Sequence, residues 1–215
     1  MWESTRRTRW IFTGLAAVAT AVALQSCTNT RAADPDTYYS IVNGELQRPT
    51  GYREWVYVGT PVTPNDLNNG KAAFPEFHNV YIDPSSWAYW KENGEFREGT
   101  ILIKELVSVG AKSASSGNGY FEGDFLGLEA TIKSKKHFPQ EPGNWAYYSF
   151  STPDHKTLTP AAKHFPTASC NGCHQASAAD DYVFTQYYPV LRAGKGTGQD
   201  AIGGVKSALT STMGN

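Results

Sequence analysis

The sequence predicts a mainly β fold, an antiparallel sheet carrying a few short helices, with an α+β arrangement as the alternative. Three observations predict it. Glycine (20) and proline (12) are plentiful among the 215 residues, which implies many turns. Aromatic residues make up 13%, and these side chains pack well on pleated surfaces. Short apolar segments between turn signals outnumber helical patterns.

Tyr52 to Val62 is aromatic and β-branched and ends at Gly59 and Pro61, so it reads as a strand. Phe77 to Ile82 is a short strand. Pro84 to Asn93 opens with Pro84 and two serines, carries Trp87 and Trp90 one turn apart, and stops at Gly94, which predicts a short helix. Thr100 to Val109 (TILIKELVSV) is the strongest strand pattern of the chain. Gly119 to Ile132 reads as a strand broken by glycines, and Trp145 to Phe150 as another. No internal repeat is visible.

The ends read differently. Arg6, Arg7 and Arg9 precede the apolar stretch Ile11 to Leu24, a basic region followed by a short apolar one, as in a secretory signal. The stretch is shorter than the ~20 residues a spanning helix needs. It closes Leu24-Gln25-Ser26-Cys27, which is similar to a bacterial lipoprotein box and would leave Cys27 lipidated; ordinary cleavage near Ala32 is the other reading. Residues 1–26 are thus expected to be a signal peptide, 27–50 a polar tether, 51–194 the folded domain and 195–215 a flexible Gly/Ser/Thr-rich tail. Either reading of the signal places the protein outside the cytoplasm, in the periplasm. The formal net charge of −1 argues against a nucleic-acid binder, and 18% charged residues against a disordered chain.

Cys170-Asn171-Gly172-Cys173-His174 has the spacing of a c-type haem attachment site. Two thiols three residues apart can each form a thioether with one vinyl group, and the histidine after them can ligate the iron. A zinc half-site or a redox dithiol is the competing reading. The first needs further ligands, and the third cysteine lies in the signal; the second has no use for His174. One haem c per chain is expected. Electron-transfer haems often add an axial Met, but Met1 is the initiator and Met213 lies in the tail. His78, His137, His155 or His164 could be a second ligand; an open distal site is the favoured reading.

Lys104 stands out on its strand. Leu102, Lys104 and Leu106 share one face, and Ile101, Ile103, Glu105 and Val107 the other. An edge strand whose lysine snorkels to water would explain this. A lysine held in a pocket as a nucleophile is the sharper reading.

The stretches Phe74 to Tyr81, Gly99 to Leu106, Gly143 to Trp145 and Cys170 to Phe184 together resemble the cytochrome P-460 family, lysine-cross-linked haem proteins related to cytochromes c-prime-beta. The resemblance implies a mainly antiparallel β fold, usually a homodimer. It implies that Lys104 bonds to a haem meso carbon, that His174 is the metal ligand and that Phe74 caps the distal face. It implies hydroxylamine as substrate, with nitrous oxide or nitric oxide species as products and a periplasmic electron acceptor. Hydroxylamine-oxidising members use a distal carboxylate as base. Counting from Lys104 reaches Leu128-Glu129-Ala130. An ungapped count favours Ala130 for that position, which would leave the base missing; Glu129 is the alternative, and the two face opposite sides of a strand. A gas-binding protein that holds nitric oxide without turnover is the competing function, and a plain electron carrier a third.

Overall fold

A computed structural model describes Met1 and residues 38–197. The signal, the Cys27 lipidation site and most of the predicted tail lie outside the described residues. The chain divides into Met1–Ala33 and Asp34–Asn215, and every described helix and strand belongs to the second unit.

In chain order the elements are β1 (Ile41–Val42), β2 (Glu45–Gln47), β3 (Val56–Gly59), β4 (Phe77–Ile82), α1 (Pro84–Asn93), β5 (Ile101–Val109), β6 (Ser113–Ala114), β7 (Gly117–Asn118), β8 (Glu122–Lys133), β9 (Trp145–Ser149), β10 (Ala161–Ala162), α2 (Thr167–Ser177) and α3 (Pro189–Gly194). The architecture is mainly β. Five antiparallel strands form the central sheet in the order β3-β4-β5-β8-β9, β1-β2-β10 form a small second sheet, and β6-β7 a hairpin.

The helix signals act as written. Asp83 caps α1 by accepting the Ser86 N–H at 2.8 Å, Pro84 starts the helix, and Gly94 ends it in a left-handed conformation. Asp83 is fully buried and its other oxygen accepts the Ile101 N–H at 3.0 Å, so the same carboxylate ties α1 to β5.

Because side chains alternate, the central sheet separates two cores. On one face Val80, Ile82 and Leu102 pack with Trp87, Trp90, Trp145, Tyr147 and Leu191, joining the sheet to α1 and α3. On the other, Ile101, Ile103, Leu128, Ala130 and Ile132 pack with Leu46, Tyr148 and Phe150. Each fully buried Leu or Ile among them contributes about 1.5–3 kcal/mol.

Three expectations are corrected. Residues 38–50 are not a tether: Leu46 is fully buried in the second core, β2 pairs with β10, and Arg48 Nη1 donates to Leu158 O at 3.0 Å. The apolar pair Ile41 and Leu46 carries this segment, in a stretch too short and polar to show a period. Nor is β5 an edge strand; it lies in the middle of the sheet, between β4 and β8. The predicted strand over Tyr52 to Val62 opens instead as a 3₁₀ turn, Tyr52–Glu54, before β3.

Candidate functional site

The site is built where α2 meets the face of the sheet that carries Lys104. Helix α2 comes after Pro166 and holds Cys170 and Cys173 as free thiols, one half-buried and one exposed. A spacing of three puts both on one side of the helix. Asn171, buried on another side, donates its Nδ2 to Trp145 O at 3.0 Å and pins α2 to β9.

His174 is held on three sides. Its ring lies 4.4 Å from the Tyr147 ring and 4.6 Å from the Phe184 ring. Its Nδ1 donates to Tyr182 O at 2.7 Å. A carbonyl only accepts, so Nδ1 carries the proton and Nε2 keeps a free lone pair. Burial pushes the imidazole below its ordinary pKa, the Lys104 charge adds to this and the Tyr182 bond opposes it; the neutral, ligating form is favoured. Burial likewise raises the Cys170 thiol, reinforced by the Glu129 charge and opposed by Lys104.

The acceptor carbonyl has its own support. Tyr182 sits at φ 63, a left-handed conformation uncommon for a bulky side chain. Its ring passes so close to Gly143 that a Cβ there would lie 2.4 Å from Cε2. Gly143 therefore makes room for the residue that orients His174. Tyr147, Tyr182 and Phe184 are site residues that the haem motif does not reveal, because they reach His174 through the fold.

Lys104 faces the same side. Its Nζ lies 2.6 Å from Glu129 Oε2, with the two side chains 28% and 29% exposed. The two residues are direct partners across β5 and β8. Phe74 is 60% exposed, and its ring centroid is 5.9 Å from Lys104 Nζ. Ala130 is one residue on and pairs with Ile103, so its side chain points to the opposite face and is buried in the second core. The preference for Ala130 is thereby corrected: strand alternation, with Lys104 opposite Glu129, places the carboxylate on the lysine's face. An ungapped count cannot see this register, because which residue stands opposite Lys104 depends on the intervening loop.

The other histidines separate. His155 Nδ1 pairs with Leu126 O at 3.2 Å, His164 Nδ1 with Phe165 O at 3.0 Å, and the His137 ring lies 6.1 Å from that of Phe138. His78 stands on the Lys104 face: it pairs with Leu106, two places along β4 from Val80, which pairs with Lys104.

The donor set suits haem. Two adjacent thiols, an imidazole with a free Nε2 and a lysine amine are brought to one face. The indole Nε1 of Trp145, beside α2, is buried with no partner among the described residues. Such a donor is what an additional polar group would satisfy. Among the described residues no cluster of three or more His, Cys, Asp or Glu forms a metal site.

No curated protein matches the chain. A family model described as Cytochrome P460 matches residues 49–185, which include Phe74, Lys104, Glu129 and the whole Cys170 to His174 motif. The chain therefore belongs to the cytochrome P460 family, and its cofactor is haem.

Proposed function

We propose that the protein is an exported mono-haem c-type cytochrome that binds and oxidises hydroxylamine. Cys170 and Cys173 would hold the macrocycle by thioethers, and His174 Nε2 would ligate iron. The haem supplies an iron coordination position for the substrate and a store for the electrons removed. The observation that carries the reading is the Lys104–Glu129 pair at 2.6 Å on the face shared with Cys170 and His174.

The chain's own residues do the rest. Lys104 Nζ would be the residue joined to a meso carbon, as the resemblance to the family implies. Such a bond would replace one N–H and one C–H, and the two protons and two electrons lost would need a two-electron acceptor such as dioxygen, reduced to hydrogen peroxide. Once its nitrogen is so bonded, Lys104 no longer presents an ammonium to Glu129. A carboxylate without an ion-pair partner is the better proton acceptor. Glu129 would then be the group placed to take protons from hydroxylamine. Two hydroxylamines give one nitrous oxide, one water, four protons and four electrons, so a base and an electron acceptor are both required. Phe74 shields the reacting side from water. In this reading the protein works in the periplasm as a homodimer, with a periplasmic redox partner and with Cys27 as its lipid anchor.

The test is a turnover assay coupled to an artificial oxidant. Wild type is expected to oxidise hydroxylamine, and Glu129→Gln to lose about 10²–10⁴-fold in rate while still binding it. Equal rates in the two proteins would overturn the assignment of the base. Wild type that binds hydroxylamine and nitric oxide without turnover would instead establish the gas-binding function.

A further inference from the structure

The proposed reaction releases protons repeatedly, whereas Glu129 accepts one at a time. A second titratable pair lies on the same face. His78 Nε2 is 3.4 Å from Glu76 Oε1, with the side chains 17% and 13% exposed. A carboxylate only accepts, so Nε2 carries the hydrogen and Nδ1 is left as the proton acceptor. This is the arrangement in which a carboxylate orients an imidazole and stabilises its charged form.

The pair is tied to the Lys104 side by three contacts. Register puts His78 on the lysine's sheet face. The Phe74 ring packs edge-on against the His78 ring, with centroids 6.2 Å apart, and also faces Lys104 Nζ. Burial alone would raise the Glu76 carboxyl, but the His78 bond, a backbone hydrogen bond and the Lys104 charge outweigh it and hold it below its ordinary value. The charged groups that face His78 are therefore Glu76 from the segment before β4, Lys104 from β5 and, through Lys104, Glu129 from β8. On its other side Glu76 lines a surface groove with Asn65, Asp66, Ser108 and Lys112. Glu76 thus contacts the imidazole and also lines a surface groove of mixed polar and apolar character.

Resting on the functional reading above, we propose that His78, oriented by Glu76, is a second proton acceptor on the Lys104 face. His78 handles the proton; Glu76 is a positioning residue that acts through it.

The test compares two ligands that differ only in whether they must lose a proton. Hydrogen cyanide must be deprotonated to bind ferric haem as an anion, and carbon monoxide binds ferrous haem with no proton to lose. Both association rates are measured by stopped flow on the haem-loaded protein, in a Glu129→Gln background that removes the first acceptor, alone and combined with His78→Gln or Glu76→Gln. In that background the cyanide rate is expected to fall about 10²-fold with His78→Gln and less with Glu76→Gln, with the carbon monoxide rate unchanged. With His78→Gly in the same background, added imidazole should restore the cyanide rate. A cyanide rate left unchanged by adding His78→Gln overturns the inference, as does an equal change in both ligands, which would mean an altered pocket or a histidine bound to iron. Wild type that binds neither ligand would overturn the open-site reading and this inference with it. Wild type that binds both, with variants that behave alike, would overturn the inference alone.

Discussion

Lys104 and Glu105 are neighbours on β5, both are charged, and both are paired, yet they occupy opposite environments. Glu105 is 4% exposed and points into the second core. Its Oε1 accepts the Tyr52 hydroxyl at 2.6 Å and Arg53 Nε at 2.7 Å, with Arg53 Nη2 at 2.6 Å, so the 3₁₀ turn at 52–54 closes over it. Lys104 has one carboxylate partner, remains partly open, and lies beside an exposed phenylalanine. A buried carboxylate held by several donors fixes structure. A charge with one partner and open space can change partner. The two faces of one strand thus divide fold-holding from chemistry, and each division can be tested.

The largest effect should come from α2. Cys170→Ala with Cys173→Ala, made in a Lys104→Ala background so that no cross-link holds the macrocycle, is expected to abolish covalent haem. Wild type should keep its haem through acid–acetone extraction, as should Lys104→Ala alone, and the triple variant should release all of it. Retention by the triple variant would show that the thiols are not the attachment points.

The next pair sets the two faces directly against each other. Ile103→Ala leaves a cavity in the sealed core and should cost about 2–5 kcal/mol. Lys104→Ala, one residue away, should change stability by under about 1 kcal/mol, since ion pairs more than a quarter open to solvent contribute little. Its signature should be optical: the ferrous Soret band of wild type, displaced to the red by the cross-link, returns to an ordinary haem c position. Chemical denaturation and one absorption spectrum check both. A Lys104 variant as destabilised as Ile103→Ala would erase the contrast between the faces.

A third comparison concerns the two carboxylates. Glu105→Gln weakens the hydrogen bonds of both Tyr52 and Arg53 in a closed site and should cost about 1–3 kcal/mol. Glu129→Gln should cost under about 1 kcal/mol and act on turnover instead. If the ranking inverted, Glu129 would be the structural residue and Glu105 the one free to react.

The smallest effect is a pH dependence. The Glu76 carboxyl is held below its ordinary value of 4.5. A carboxyl with a lowered folded-state pKa stabilises the fold above its unfolded value, and that stability is lost as pH falls through the folded one. Wild type should therefore lose slightly more stability than Glu76→Gln between neutral pH and acid below 4.5. Thermal melts across this window, with the two curves parallel, would show that the His78 contact carries no linkage.

Much of the fold was legible in the sequence. Phe77–Ile82 and Pro84–Asn93 appear with the bounds read from turn and cap residues, because Asp83, Pro84 and Gly94 act locally. The apolar strand pattern of β5 was equally plain. The tether reading over residues 38–50 failed because β2 pairs with β10, more than a hundred residues on, as with Gln47 and Ala161, and the edge placement of β5 failed because its pairing with β4 on one side and β8 on the other is decided by the sheet. At the site, the thiols, His174 and Lys104 declared themselves by residue type and spacing. Tyr182, Gly143 and Glu76 did not, since none belongs to a motif that names its role.

The sequence by itself determined the chemistry available: two thiols and an imidazole at fixed spacing, and one lysine in an apolar strand. Those are covalent facts, set by neighbours along the chain. Only the tertiary structure decided which carboxylate meets that lysine. Side chains alternate with a period of two, so a shift of one residue exchanges Glu129 for Ala130. The loop geometry and the packing of two cores on either side of the sheet fix that shift. They place Glu129 opposite Lys104 and bury Ala130 behind it.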